Sequence, residues 1–83
     1  MKNKNEYSTR DLFEASLLFA SAKKLIRLDR EDKFFWFVFD DNVGCDVLIT
    51  AYWSKEASID ARTYADAIRS LKDRLFALRG GRR

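Results

Sequence analysis

The sequence has no histidine, a single cysteine (Cys45) and only three glycines. Without histidine there is no imidazole acid, base or metal ligand, which excludes catalysis of the Ser-His-Asp type. One cysteine forms no internal disulfide and makes no metal site by itself. The glycines, at positions 44, 80 and 81, make no phosphate-cradling loop. These absences favour a protein that works by binding.

Long apolar segments are missing as well. The longest uninterrupted run is Phe34 to Phe39, which is far too short to span a membrane. The first six residues are polar, and no apolar stretch like that of a signal peptide follows them. Together with the single cysteine, this pattern favours a reducing compartment, and we expect a cytoplasmic protein without membrane contact.

The length of 83 residues predicts one domain, covering residues 1–83, with flexible ends at 1–7 and 79–83. A chain of this size buries only about 60–65 % of its unfolded surface, so its stability margin is small. With no disulfide or metal to help, dense packing and self-association remain. Hydrophobic residues make up 47 % of the chain and seven residues are Phe, which fits dense packing and a homodimer.

The net charge of +3 is unevenly distributed along the chain. Residues 1–33 carry eight basic and six acidic groups, residues 34–68 carry two and six, and residues 69–83 carry six and one. The corresponding net charges are +2, −4 and +5. The positive charge is therefore concentrated at the C-terminal end, where a negatively charged partner could bind.

Two segments have the pattern of a helix. The first is predicted to begin near residues 8–11 and to run to about Ala22, with Ser8 or Thr9 able to cap it. Apolar residues cover most of its circumference and Leu17 interrupts the polar stripe, so the helix is expected to be central or at an interface. The last helix is predicted over residues 61–78 with Asp60 as its cap. Its apolar residues recur three and four apart, at Tyr64, Ile68, Leu71, Leu75 and Leu78.

Between the helices the sequence predicts a β-hairpin. Residues 25–28 and 33–40 are the expected strands, and residues 29–32 form a polar loop that is longer than a tight glycine turn. The second strand does not alternate, so both of its faces need cover, from this chain or from a second copy. Residues 45–53 fit a helix and a strand, and we expect a helix that Asn42 can cap.

The predicted fold class is α+β, as one small α-β-β-α-α domain whose central antiparallel hairpin packs on helices. If residues 45–53 were a strand, the order would be α-β-β-β-α, as in double-stranded-RNA-binding domains, which resemble this chain in length. Those domains carry a basic cluster at the start of the last helix. Residues 60–66 of this chain have no such cluster, which disfavours this alternative.

Several segments together resemble a known family. They are Tyr7-Ser8-Thr9-x-Asp11-Leu12, the strand Phe35-x-Phe37-x-Phe39-Asp40, the pair Tyr52-Trp53, and Tyr64 with Leu71-Lys72-Asp73. From Tyr7 to about Phe76 the chain resembles short bacterial and phage-borne proteins described only as a domain of unknown function. The resemblance implies a bacterial or mobile-element origin and favours a helix at residues 45–53, but it implies no activity and no site residues. Members tend to carry a glycine after the first helix, where this chain has Ser21-Ala22-Lys23.

The basic C-terminal end is the strongest functional indication. Five cations whose acidic neighbours are less obvious than those of Arg69 are the candidate nucleic-acid-binding residues: Lys72, Arg74, Arg79, Arg82 and Arg83. An accessory or regulatory protein could contact phosphates through them, and we expect salt-sensitive binding that is lost without the last five residues. The alternative is that these charges only aid solubility and interact favourably with the helix C-terminus.

The aromatic strand provides the second candidate surface. Residues 33–40 partly match the octamer of RNA-recognition motifs, although Phe34 and Trp36 fill its two small positions. Either side chain could stack on a base or contact a partner, whereas the simplest interpretation is a core strand. With Leu17 and Trp53 they are the candidate surface of a protein-interaction module, such as an adaptor or inhibitor.

No enzyme, cofactor or metal is expected. Asp40, Asp41 and Asp46 lie near Cys45, but aspartates at this point are typical of a strand end and a helix cap. Cys45 is expected to be a small buried residue rather than a reactive thiol, because its neighbours are acidic or apolar. The sequence therefore predicts a non-enzymatic module that binds nucleic acid or, alternatively, a protein.

Overall fold

The computed structural model describes residues 5–79 of the chain. Its elements are β1 (Glu6–Thr9), α1 (Leu12–Ala20), β2 (Leu25–Glu31), β3 (Phe34–Asp40), α2 (Asn42–Trp53) and α3 (Ala61–Leu78). The predicted α+β class and the helix–strand–strand–helix–helix order are confirmed, and a short strand precedes them. Within the described residues, no helix is both long and apolar enough to cross a bilayer.

The strands form an antiparallel sheet in the order β1-β3-β2, which places the aromatic strand in the centre. Side chains of a strand alternate between its faces, so Phe35, Phe37 and Phe39 share one face. This inner face is buried beneath the helices. The core joins Phe37 and Phe39 to buried helix residues, which are Ala15, Leu17, Leu18, Cys45, Ile49 and Leu71.

Leu17 belongs to this core and is only 2 % exposed. The prediction that it lies on an interaction surface is therefore wrong. A helix that is apolar nearly all round was expected to be either central or at an interface, and α1 is central. It packs against α2, α3 and β1, while its Phe13 remains 51 % exposed.

The outer face of the sheet is formed by the alternate residues of β3. Val38 is buried there, between Ser8 of β1 and Arg27 of β2. Phe34 remains 52 % exposed and Trp36 is partly exposed. Side chains of the neighbouring strands, rather than a further layer, thus cover one end of this face, and the other end is open.

β1 corrects the expectation of a flexible leader, which is wrong for Glu6 and Tyr7. Tyr7 lies opposite Phe39 in the sheet. Glu6 accepts two hydrogen bonds of 3.0 Å from the Arg27 guanidinium across the outer face, a bidentate geometry that favours a fixed strand position. A four-residue strand is too short for its periodicity to identify it. Residues 1–4 lie outside the described part of the chain.

The hairpin is also tighter than predicted, because β2 continues to Glu31 and only Asp32 and Lys33 form the turn. Asp32 has φ 57°, a left-handed conformation that aspartate tolerates better than most residues. Asp29 and Glu31 pair with outer-face residues of β3, so their charges lie on the open face. A strand can therefore continue through a segment that is polar enough to look like a loop.

An aspartate caps each helix within residues 5–79. The Asp11 side chain accepts hydrogen bonds from the backbone N–H groups of Phe13 and Glu14. The Asp41 side chain accepts from Gly44 N–H, and the Asp60 side chain accepts from Thr63 N–H. The prediction for Asp60 is confirmed. The predicted caps Ser8, Thr9 and Asn42 are wrong, because the first two lie in β1 and the third is already helical.

The same hydrogen-bonded turn ends α1 and α2. After α1, Ala22 N–H donates to Phe19 C=O at 3.2 Å and Lys23 N–H donates to Leu18 C=O at 3.0 Å. This is the Schellman motif, in which glycine is preferred at the left-handed position. Ala22 holds that position here, with φ 67°. The backbone thus adopts the glycine-type conformation at the place where the family resemblance implies a glycine.

Ala22→Gly is expected to stabilise the protein by about 0.5–1 kcal/mol, because it removes the Cβ strain of a left-handed residue. The urea unfolding midpoint would rise at an unchanged slope. Ala20→Gly is the matched control, since the same change at the last residue of α1, which has no positive φ, should destabilise the protein by up to about 0.5–1 kcal/mol. A loss of stability in Ala22→Gly would contradict the assigned backbone conformation.

Candidate nucleic-acid interface

A small cleft of about 90 Å³ opens where the hairpin meets the C-terminal end of α3. Its lining combines cations with apolar side chains: Arg10, Lys33, Phe34, Phe35, Phe37, Leu75 and Arg79. β1 ends opposite Phe37, so within the described residues Phe34 to Trp36 have no partner on that side of β3. The cleft lies along this open stretch of the central strand. We call the cleft together with Trp36 the basic corner.

Arg10 is placed at the basic corner by β1, which it directly follows. Its guanidinium lies 4.5 Å from the ring centre of Phe34 and 5.4 Å from that of Trp36. These are cation–π distances, and they hold an exposed cation against two aromatic rings. The corner therefore presents a positive charge and aromatic surface side by side.

Two further cations come from other elements. Lys33 is the second residue of the hairpin turn, and Arg79 ends α3, where its N–H donates to Leu75 C=O at 3.0 Å. None of the ion pairs between described residues involves Arg10, Lys33 or Arg79. Three cations from distant parts of the sequence thus meet at one cleft without neutralisation by a carboxylate.

The other side of β3 carries the opposite charge. The indole Nε1–H of Trp36 donates to Glu31 Oε1 at 2.7 Å. Asp29, which lies opposite Trp36, accepts from Arg27 at 2.9 Å. On the outer face, Arg10 thus lies on the β1 side of the aromatic rings, and the carboxylates of Glu31 and Asp29 lie on the β2 side, where Arg27 pairs with Asp29.

The structure separates the predicted basic residues. Arg79 joins Phe34 and Trp36 at the basic corner, which unites parts of the two candidate surfaces. Lys72 lines a neighbouring groove of about 480 Å³ that Arg79 also borders. Arg74 lies about 140° round the helix from Arg79 and is 5.4 Å from the ring of Phe19 instead. Arg82 and Arg83 lie outside the described residues.

Arg10 and Lys33 are the site residues that sequence reasoning missed. Arg10 was assigned to a helix start and Lys33 to the aromatic strand. The signal that could have found them is positional: each is the residue next to the end of a strand in one sheet. That signal becomes readable only once the strand order is known, because adjacency in the sheet brings them together.

Trp53 lies at a different place, beside the start of α1. Its indole Nε1–H donates to Glu14 Oε2 at 2.6 Å, and the Thr9 hydroxyl donates to Glu14 Oε1 at 2.8 Å. Trp53 is nevertheless 63 % exposed and meets the Tyr52 ring edge-on, with 5.2 Å between centroids. Glu14 thereby ties β1, α1 and α2 together. We call Tyr7, Thr9, Glu14 and Trp53 the Glu14 junction.

Tyr7 is the titrating group of this junction. Burial, and then the negative charges of Glu14 and Asp46, raise the pKa of Tyr7 to about 12. The phenol is therefore neutral at physiological pH, and its ionisation is disfavoured by the fold.

The acidic end of β3 is structural. Asp41 caps α2 and accepts a 2.7 Å hydrogen bond from Lys23 Nζ, and these interactions lower the pKa of Asp41. The Cys45 thiol is buried, which raises its pKa to about 11, and it lies 3.3 Å from Asp40 C=O. Residues 5–79 contain no group of three or more His, Cys, Asp or Glu side chains that could hold a metal ion.

These features define a small α+β domain whose helices cover one face of a short antiparallel sheet and whose other face is partly open. The chain matches the family model of a domain of unknown function, DUF5659, over residues 4–77, and it belongs to that family. The family predicted from the sequence resemblance is thus confirmed, while the bacterial or phage origin stays a prediction. Comparison with the curated proteins and with the solved structures found no match.

The stability of the protein is expected to depend on Tyr7 at alkaline pH. In the unfolded chain Tyr7 ionises near its ordinary pKa of 10, whereas in the fold it ionises near 12. Ionisation of Tyr7 therefore favours the unfolded state, and the unfolding free energy falls as pH rises from 10 towards 12. Tyr7→Phe should make urea unfolding midpoints fall less steeply over this range. Equal slopes in the wild type and Tyr7→Phe would show that burial does not raise the pKa of Tyr7.

Proposed function

We propose that this domain is a non-enzymatic nucleic-acid-associated module, acting as an accessory or regulatory protein. Its contact surface is the basic corner, where Arg10, Lys33 and Arg79 adjoin Phe34 and Trp36. Arg82 and Arg83, which follow in the sequence, stay predicted contacts and lie outside the described residues. Of the predicted basic end, Arg79 belongs to this surface. The surface is centred at the edge of β3 and not on the face of α3.

The single observation that supports this function most is the meeting of unpaired cations and exposed aromatic rings. Proteins that bind nucleic-acid strands combine cations that contact phosphates with aromatic side chains on which bases stack. Phe34 offers a ring that is 52 % exposed, and the Arg10 guanidinium lies over it. A purely structural role would require neither the exposure of this ring nor three unpaired cations at one cleft.

A triple variant tests the corner. Arg10→Ala/Lys33→Ala/Arg79→Ala is expected to weaken binding of short DNA or RNA by about tenfold or more at low salt, because each lost phosphate contact removes counterion release. Fluorescence anisotropy at two salt concentrations measures both affinity and salt slope. The wild-type slope should correspond to about three to five phosphate contacts, and the variant's slope should be clearly shallower.

The matched control is Lys55→Ala/Arg62→Ala/Arg69→Ala, which removes the same charge from other surfaces. Arg62 and Arg69 pair with Asp66 on α3, away from the corner. This control should lose less than about threefold in affinity, since only the general field of the protein changes. Equal losses in both variants would show that net charge alone attracts the nucleic acid. No binding by the wild type at low salt would refute the proposed function.

A protein-interaction module is the alternative function, and one observation favours it. Val43, Val47 and Trp53 are 74 %, 63 % and 63 % exposed along the outer side of α2. Exposed apolar residues on one helix side are typical of a surface that binds another protein. Binding there would depend weakly on salt and would be unaffected by the triple variant of the basic corner.

A further inference from the structure

We infer that the outer face of the sheet binds single-stranded nucleic acid in one orientation and selects bases that carry an exocyclic amino group. Phosphates lie at Arg10 on the β1 side and at the adjoining cleft that Lys33 of the hairpin turn and Arg79 after α3 also line, and base edges point towards Glu31 on the β2 side. This inference rests on the proposed function, because it specifies which nucleic acid the same corner binds and how it distinguishes bases.

The position of the aromatic rings selects a single strand. Phe34 and Trp36 lie on the sheet surface between Arg10, whose guanidinium contacts both rings, and the carboxylates of β2, and Phe34 remains 52 % exposed. A ring in this position can stack only on a base whose face is accessible. Bases of a duplex are already stacked and paired, whereas those of a single strand can be splayed onto a sheet. A duplex could contact the cations but would leave both rings unused.

The charge polarity of the face sets the direction. Arg10 borders the rings on the β1 side, and Glu31 and Asp29 border them on the β2 side, where Arg27 is paired with Asp29 and Glu6. A phosphate placed beside the carboxylates would be repelled, so the backbone is confined to the side of Arg10. Each stacked base then extends across the ring towards β2.

Glu31 is the residue that the edge of such a base would meet. Its register position is opposite Phe34, and its Oε1 accepts the indole hydrogen of Trp36 at 2.7 Å. A carboxylate has several acceptor lone pairs and no donor when ionised. It therefore attracts the amino groups of cytosine, adenine and guanine and repels the 4-oxo group of uracil. Because the bond to Trp36 fixes the carboxylate, the acceptor is positioned before the base arrives.

Cytosine and uracil provide the matched probes, since they have the same ring size and differ at position 4, which is amino in cytosine and oxo in uracil, and at the adjacent N3, which accepts in cytosine and donates in uracil. The experiment compares labelled octamers of deoxycytidine and deoxyuridine by fluorescence anisotropy at pH 7.5 and low salt. The deoxycytidine octamer is expected to bind about tenfold more tightly, the effect of one hydrogen bond to a charged group. A duplex of the same length should bind more weakly than the deoxycytidine octamer.

Glu31→Gln tests the residue itself. Glutamine keeps an acceptor for Trp36 but adds an amide donor that can serve the 4-oxo group, so the ratio of the two affinities should fall below about twofold. Asp32→Asn is the control, because it removes one negative charge from the adjacent turn and should leave the ratio unchanged. The ratio is the readout because removal of a carboxylate raises both affinities through the general field.

Failure of this inference is distinct from failure of the proposed function. Equal binding of the two octamers, tighter binding of deoxyuridine, or tighter binding of the duplex would overturn the inference while nucleic-acid binding stood. An affinity ratio unchanged by Glu31→Gln would likewise overturn it. Absence of binding to every strand at low salt would refute both.

Discussion

The burial of one face of β3 is the constraint on which the rest of the structure depends. Phe37 and Phe39 are almost fully buried, and every described helix contributes to the core around them. An 83-residue chain buries only a limited share of its surface, and buried residues of all the described helices pack around this one face. The other face of the strand is left to charged and aromatic side chains of the sheet itself. The open, polarised outer face is thus a consequence of how a small core is built.

The residues that carry the family resemblance serve the fold. Asp11 caps α1, Thr9 and Trp53 donate to Glu14, and the Tyr64 hydroxyl donates to Phe13 C=O at 3.1 Å. Together they fix β1, α1 and α2 around the Glu14 junction, and Tyr64 ties α3 to the same region. Of the residues of the basic corner, only Phe35 and Phe37 belong to that pattern. The residues of the resemblance thus support the architecture, while the proposed function rests on surface residues of this chain.

Sequence patterns predicted the elements whose signals are local and long. The spacing of apolar residues and the Asp60 cap defined α3, and the aromatic run defined β3. β1 escaped detection because its place is set by pairing with β3 and by the bidentate Arg27–Glu6 contact, which join residues far apart in sequence. Of the residues of the basic corner, the sequence predicted only Arg79, Phe34 and Trp36 as site residues. Its remaining cations are recognisable only from strand adjacency, and strand adjacency is a property of the folded sheet.

The two tryptophans allow a direct test of whether nucleic acid binds at the basic corner. Trp36 lies at the corner and Trp53 at the Glu14 junction, so their indole N–H signals in a ¹H–¹⁵N spectrum report on separate surfaces. The measurement is a titration of the labelled protein with a deoxycytidine octamer at low salt. The Trp36 indole signal is expected to shift with the added strand while that of Trp53 stays in place. A shift of Trp53 alone, or of neither indole, would contradict binding at the basic corner.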